Sequence, residues 1–181
     1  MESAVEALVS AATPDPYHTE LCRLFNLYRL ANVNMRYYGC RAEKFESRSR
    51  SLLVAAALCS TGTLSLLLIP DAPSYPAAIL SGIAAIISGT VPYFGLSEKI
   101  RDLRNLRFAY SQLFGQIELA ITEMKRAGRL LPEHLGYAKM LHEAYTRIES
   151  MDELDPDSEM FTREDAKTLQ AIPPDYLWTH F

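Results

Sequence analysis

The chain has 181 residues, 49% of them apolar and 22% charged, with a formal net charge of −4 and a mean hydropathy of −0.03. The net negative charge and the lack of an uninterrupted basic tract give no case for nucleic acid as the main partner, and no direct nucleic-acid binding is expected. The average conceals an uneven distribution of charge, because between Ser51 and Ser97 only Asp71 is charged.

Residues 1–18 read as a flexible leader ending near Thr13-Pro14-Asp15-Pro16, where the paired prolines oppose a helix. The leader has no basic n-region and no apolar h-region, so membrane targeting is expected from internal segments. A helix is predicted over 19–50. Leu21, Leu24, Phe25, Tyr28, Ala31, Met35, Tyr38, Ala42 and Phe45 recur every three or four residues and draw one apolar stripe. Arg23, Arg29, Arg36, Arg41, Lys44 and Arg48 fall on the other face.

Residues 51–69 follow without a break signal and carry no charge. As a helix they span about 28 Å, close to the hydrocarbon thickness of a bilayer. Pro70, Asp71, Pro73 and Pro76 mark a turn. Residues 76–96 form a second apolar run of about 31 Å, weakened by Gly82, Gly89, Pro92 and Gly95 but credible as the partner of the first in a hairpin.

Residues 97–151 read as cytoplasmic helices. Ile100, Leu103, Arg107, Tyr110, Phe114, Ile117, Ile121 and Met124 alternate in steps of three and four, a heptad repeat with Arg107 as its polar exception. The stripe on 21–45 is its expected packing partner, with Tyr28, Tyr38, Phe45, Tyr110, Phe114 and Ile117 as the main packing residues. Tyr37 lies off that stripe and is expected to reach an interface. A further helix is predicted over 133–151. Residues 152–181 supply an acidic linker, a short helix over 163–171 with Thr162 as its N-cap, and the aromatic tail Tyr176-Leu177-Trp178-Thr179-His180-Phe181, expected to dock.

Lys and Arg cluster beside both apolar runs, and the connecting turn has none. The positive-inside rule then predicts that both termini face the cytoplasm. Arg48, Arg50, Lys99, Arg101 and Arg104, nearest the membrane, serve as a topology signal and as candidates for anionic lipid headgroups. The fold class expected is an all-α membrane protein: a two-helix transmembrane hairpin continued by long antiparallel cytoplasmic helices, plus one or two further cytoplasmic helices.

Catalytic chemistry is not in evidence. The four histidines are scattered, and no Ser/His/Asp or Cys/His arrangement suggests itself. Asp155-Pro156-Asp157-Ser158-Glu159 lacks the glycine and ligand spacing of a calcium loop. Cys22, Cys40 and Cys59 form no zinc motif, and no glycine loop cradles phosphate, so no catalytic residue, metal or cofactor is expected.

The apolar segments carry more information. Ala78, Gly82, Ala85 and Gly89 share one face of the second segment, and Ala55, Cys59 and Gly62 one face of the first. Small residues let helices approach closely in lipid, either within the hairpin or between protomers. Ser60, Thr63, Ser81, Ser88 and Thr90 are candidates for a wet path, although each hydroxyl can also bond its own helix backbone. Pro92 is expected to bend the second segment.

The stretch Tyr28-Arg29 through Arg36-Tyr37-Tyr38 and Arg41-Ala42-Glu43-Lys44-Phe45 leads straight into the hairpin. A long helix and the segment Tyr137 to Leu141-His142-Glu143-Ala144-Tyr145-Thr146-Arg147-Ile148-Glu149 follow. This arrangement resembles the SLATT family, the SMODS and SLOG-associating two-transmembrane effectors, over about residues 17–150. The resemblance implies an inner-membrane effector of a bacterial conflict or antiviral defence system. Such a protein homo-oligomerises and permeabilises the membrane when a sensor protein or nucleotide signal triggers it. The alternative is a non-conducting membrane anchor or scaffold for a soluble partner.

Overall fold

The computed structural model describes residues 15–68, 74–93, 95–151 and 156–181, without the side chains at 67, 74 and 90–93. The leader through Pro14, the turn residues Pro70, Asp71 and Pro73, the acidic stretch 152–155 and the side chains of Thr90 and Pro92 lie outside the described residues. The described residues are helical, with no strand among them.

Helix α1 runs Pro16–Leu67, α2 Ser74–Tyr93, α3 Leu96–Ala127, α4 Pro132–Glu149, α5 Ser158–Ala171 and α6 Tyr176–Thr179. No proline interrupts α1 after its first residue, so its i→i−4 hydrogen bonds continue from the charged half into the apolar half. Pro76 falls in the first turn of α2, where a missing N–H costs nothing. The second apolar segment, expected to reach residue 96, stops as a helix at Tyr93. Gly95 adopts φ 57°, a left-handed conformation that an α-helix cannot contain, and α3 starts at the next residue. Gly128, at φ 63°, closes α3 in the same way, donating its N–H to Met124 O at 3.1 Å and Lys125 O at 3.3 Å.

Pro132 opens α4, and the His134 side chain accepts the Leu131 N–H through Nδ1 at 3.3 Å, satisfying one of the donors a helix start leaves open. The start of α5 corrects the sequence reading. Asp157 is the N-cap, its Oδ1 accepting from Met160 N–H at 3.1 Å. Thr162 lies inside the helix and donates to Ser158 O.

The chain divides into two units. One contains the residues up to Tyr37 together with Leu106–Phe181, and the other is Tyr38–Asn105. In the first unit α1 is the central helix. Leu21, Leu24, Phe25, Leu27, Tyr28, Ala31, Val33 and Tyr37 are buried, and so are Asn32 and Asn34. That is more than one stripe, because α3 to α6 cover several sides of the helix. Tyr28 stacks on Phe114 of α3 with ring centroids 4.2 Å apart, and the Phe181 ring meets Tyr28 edge-on at 5.5 Å. Burial first, and then the charge of Glu118, raises the Tyr28 phenol pKa.

Polar bonds fix α4 and α5 on this core. Asn34 Nδ2 donates to Tyr145 Oη at 3.4 Å, and Thr168 Oγ1 donates to Asn32 Oδ1 at 3.2 Å. Tyr37, expected at an interface, is instead buried against Phe161, and its hydroxyl accepts the Asp157 N–H at 2.8 Å. The tail docks through buried Leu177, whose carbonyl accepts from Lys125 Nζ, while Trp178 sits beside Lys125 and His18. Replacing Thr168 with valine keeps its shape but leaves buried Asn32 Oδ1 without that donor. The expected cost is about 1–3 kcal/mol, read from denaturant unfolding of the variant.

Glu164 is buried, and its carboxylate accepts from Lys167 Nζ at 2.7 Å and Arg163 Nε at 3.2 Å. Burial pushes its pKa up, but the bonds from Lys167 and Arg163 outweigh it and hold the group below its ordinary value of 4.5. A folded-state pKa that is depressed stabilises the protein above the unfolded pKa and is lost as pH falls through the folded value. Unfolding midpoints measured from pH 6 downward should therefore decline below about pH 4.5, and less steeply in Glu164→Gln.

The buried residues of α3 are Leu103, Leu106, Tyr110, Leu113, Ile117, Ala120, Ile121 and Met124. The heptad expected from the sequence shares Leu103, Tyr110, Ile117, Ile121 and Met124 with this set, but two places of its second seam are displaced by one residue. Leu106 and Leu113 take the inward places assigned to Arg107 and Phe114; Arg107 is exposed and Phe114 half-buried. A charged side chain moves to solvent when the neighbouring position offers a leucine for the same gap.

Candidate membrane-contacting surface

The second unit pairs the C-terminal part of α1 with α2 and the start of α3. Among the described residues one helix, α1, is long and apolar enough to cross a membrane by length and composition. Only 6% of its most apolar stretch is buried, whereas a core helix of a soluble fold buries most of such a stretch. Leu53, Val54, Leu58 (69% exposed) and Leu64 (64%) point outward. On α2, where Tyr75–Gly89 forms a shorter apolar helix, Tyr75, Ile79, Ile83 and Ile86 (66%) do the same. Exposed aliphatic surface this extensive marks a contact with lipid or protein.

The two helices meet through small residues. Ala56 on α1 and Ala77 and Ala84 on α2 are buried, and a Cβ added to Gly62 would stand 3.4 Å from Leu80 Cδ1. Ala55, Cys59 and Thr63 are half-buried beside them. The other small face of α2 is not used: Ala78, Gly82, Ala85 and Gly89 are all exposed. A Cβ at Gly82 or Gly89 would meet nothing within 4 Å. Of the two roles open to that face in the sequence, closing this hairpin is the one it does not play.

The hydroxyl groups of α1 are turned to its own backbone. Ser60 donates to Ala56 O at 2.9 Å, Thr61 to Ala57 O at 2.9 Å, Thr63 to Cys59 O at 2.9 Å and Ser65 to Thr61 O at 3.1 Å. This is the local alternative to a wet path for Ser60 and Thr63. Ser81 and Ser88 are exposed on α2, which continues through Pro92 to Tyr93.

Next to the apolar stretch lies a collar of charge. Arg50 Nη2 donates to Glu46 Oε1 at 2.6 Å, and Arg104 Nη2 donates to Glu46 Oε2 at 2.7 Å. These bonds, Arg104's first and Arg50's second, hold the Glu46 carboxyl below its usual pKa. Lys99 Nζ lies 4.9 Å from the centre of the half-buried Phe45 ring and Arg48 lies 6.0 Å from it. Arg101 is beside Glu98 and Asp102. Tyr38 and Arg41 are buried in this unit, so the basic face expected opposite the apolar stripe is partly interior. Arg50 and Arg104, two of the five cations read as anionic-headgroup contacts, are thus joined to one carboxylate.

A groove of 580 Å³ follows this collar along α1, lined by Glu43, Glu46, Ser47, Arg50, Ser51, Val54, Ala55 and Leu58. Among these the sequence reading singled out Arg50 as a headgroup contact and Ala55 as a packing residue, and quoted Glu43 only within the stretch that carries the family resemblance. The signal was present, in polar residues at 43, 46, 47, 50 and 51, which share one helical face directly before the apolar run. In the first unit a separate groove of 610 Å³ runs between α1 and α4, lined by Leu24, Leu27, Leu30, Leu135 and Ala138 together with the charged residues Glu20, Arg23 and Lys139. Comparison of the chain with protein-family models, with curated proteins and with solved structures finds no match.

Proposed function

We propose that this chain is a two-transmembrane effector, of the kind its sequence resembles, which oligomerises in the inner membrane and permeabilises or depolarises it when triggered. The observation that carries the reading is the outward aliphatic surface of α1 and α2 in the second unit, whereas the first unit has an ordinary buried core. An exposed Leu58 or Ile86 is costly in water and favourable in hydrocarbon. The basic residues flanking both runs support cytoplasmic termini under the positive-inside rule. The vacant face Ala78, Gly82, Ala85 and Gly89 supplies the contact between protomers. A sensor protein or nucleotide signal acts on the helical unit, and the continuous α1 carries the change onward. No catalytic step is part of this reading.

Expression with a membrane-potential dye tests it. The unsubstituted protein should depolarise cells under triggering conditions. Gly82→Leu and Gly89→Leu should abolish depolarisation while leaving membrane insertion intact, because the monomer has room for both side chains. Full toxicity of both variants would show that this face does not assemble the active form. The second reading is a non-conducting anchor for a soluble partner. The apolar-floored groove between α1 and α4 favours it, and it requires a stable complex with no ion flux.

A further inference from the structure

The groove on α1 joins two chemically different ends. Val54, Ala55 and Leu58 line one, and Glu43, Glu46, Ser47, Arg50 and Ser51 line the other. All eight lining residues lie on α1, so the groove is a shallow, open strip along one face of a single helix. The bond from Arg50 to Glu46 draws the guanidinium back along the helix, away from the apolar end. Glu46 is shared by Arg50 and Arg104, so it serves two cations. Glu43 lies three residues earlier, about 4.5 Å along the axis, and has no ion-pair partner among the described residues. A guanidinium and a carboxylate with no ion pair among the described residues therefore line the same groove, seven residues or about 10.5 Å of helical rise apart, at the polar edge of an aliphatic wall.

We propose that this groove binds a zwitterionic aminophospholipid, taking its phosphate at Arg50 and Ser47, its primary ammonium at Glu43, and the start of an acyl chain along Val54, Ala55 and Leu58. The Arg50 guanidinium has N–H donors beyond the one given to Glu46, and a phosphate oxygen can accept them. The carboxylate of Glu43 accepts from an ammonium, which a quaternary amine without N–H cannot match. A headgroup carrying only negative charge meets Glu43 as a repulsion, and Glu46 already offsets the nearest arginines. The proposal rests on the membrane reading above.

The test uses the full-length protein. Vesicles of phosphatidylcholine, alone or with phosphatidylethanolamine or phosphatidylglycerol, are used for flotation. Nanodiscs holding the three lipids in equal parts are used for native mass spectrometry of retained lipid. Phosphatidylethanolamine should be retained above the other two. Glu43→Gln should lower its ratio to phosphatidylcholine about fivefold without changing flotation. Glu43→Lys should shift retention to phosphatidylglycerol, and Glu149→Gln on α4 should change nothing. Equal retention of the three lipids, preference for phosphatidylglycerol in the unsubstituted protein, or a preference unaltered by Glu43→Gln and Glu43→Lys overturns this site alone. Failure to float with any vesicle overturns the membrane reading and the site with it.

Discussion

Leu58→Lys combined with Ile86→Lys is expected to remove the protein from the carbonate-resistant membrane fraction. Both side chains are more than half exposed and lie within the apolar parts of α1 and α2. In hydrocarbon, leucine or isoleucine contributes favourably and lysine costs about 2.5–3.5 kcal/mol on insertion scales, so each change loses about 3 kcal/mol. At an exposed position in water the same change is worth within about 0.5 kcal/mol of zero and improves solubility. The two solvents thus predict opposite outcomes from one variant. A double mutant that stays in the membrane pellet as firmly as the unsubstituted protein would remove lipid as the neighbour of these helices.

Leu113→Ala and Ile117→Ala should each destabilise the first unit by about 2–5 kcal/mol, the usual cost of truncating a fully enclosed aliphatic side chain. Both are buried on α3. Arg107→Ala should change stability by less than about 0.5 kcal/mol, since Arg107 is exposed. Denaturant unfolding followed by circular dichroism in detergent measures all three. A large loss from Arg107→Ala with little from Leu113→Ala would restore the heptad frame that the sequence periodicity suggests.

That pair of outcomes shows where periodicity stops being informative. Steps of seven through Leu103, Tyr110, Ile117 and Met124 are common to both frames, and only the packing of neighbouring helices selects Leu106 and Leu113 over Arg107 and Phe114. The polar exception at Arg107 was the available hint. The extents of α3 and α4 were legible because Gly128 and Pro132 punctuate them chemically. The start of α5 was missed because Pro156 within an acidic stretch reads as linker, although Asp157 followed by Ser158 and Glu159 is also a helix start.

The small residues divide in the same way. Ala55, Cys59 and Gly62 were read as the packing face of the first apolar run, and they lie half-buried beside Ala56. On α2 the inward residues are Ala77 and Ala84, and the face with glycines is turned out. Alanine and glycine occur on more than one side of that helix, so composition alone cannot choose between them. Tyr37 was opaque for another reason. Its partner, the N–H of Asp157, is supplied by a backbone atom far along the chain.

The serine and threonine bonds along α1 bear on its mechanics. The carbonyls of Ala56, Ala57, Cys59 and Thr61 each receive a hydroxyl in addition to serving the helix ladder. Divided acceptors soften a helix against curvature. Under lateral stress the rod should therefore yield first between residues 56 and 65, a compliant length set within a stiffer shaft.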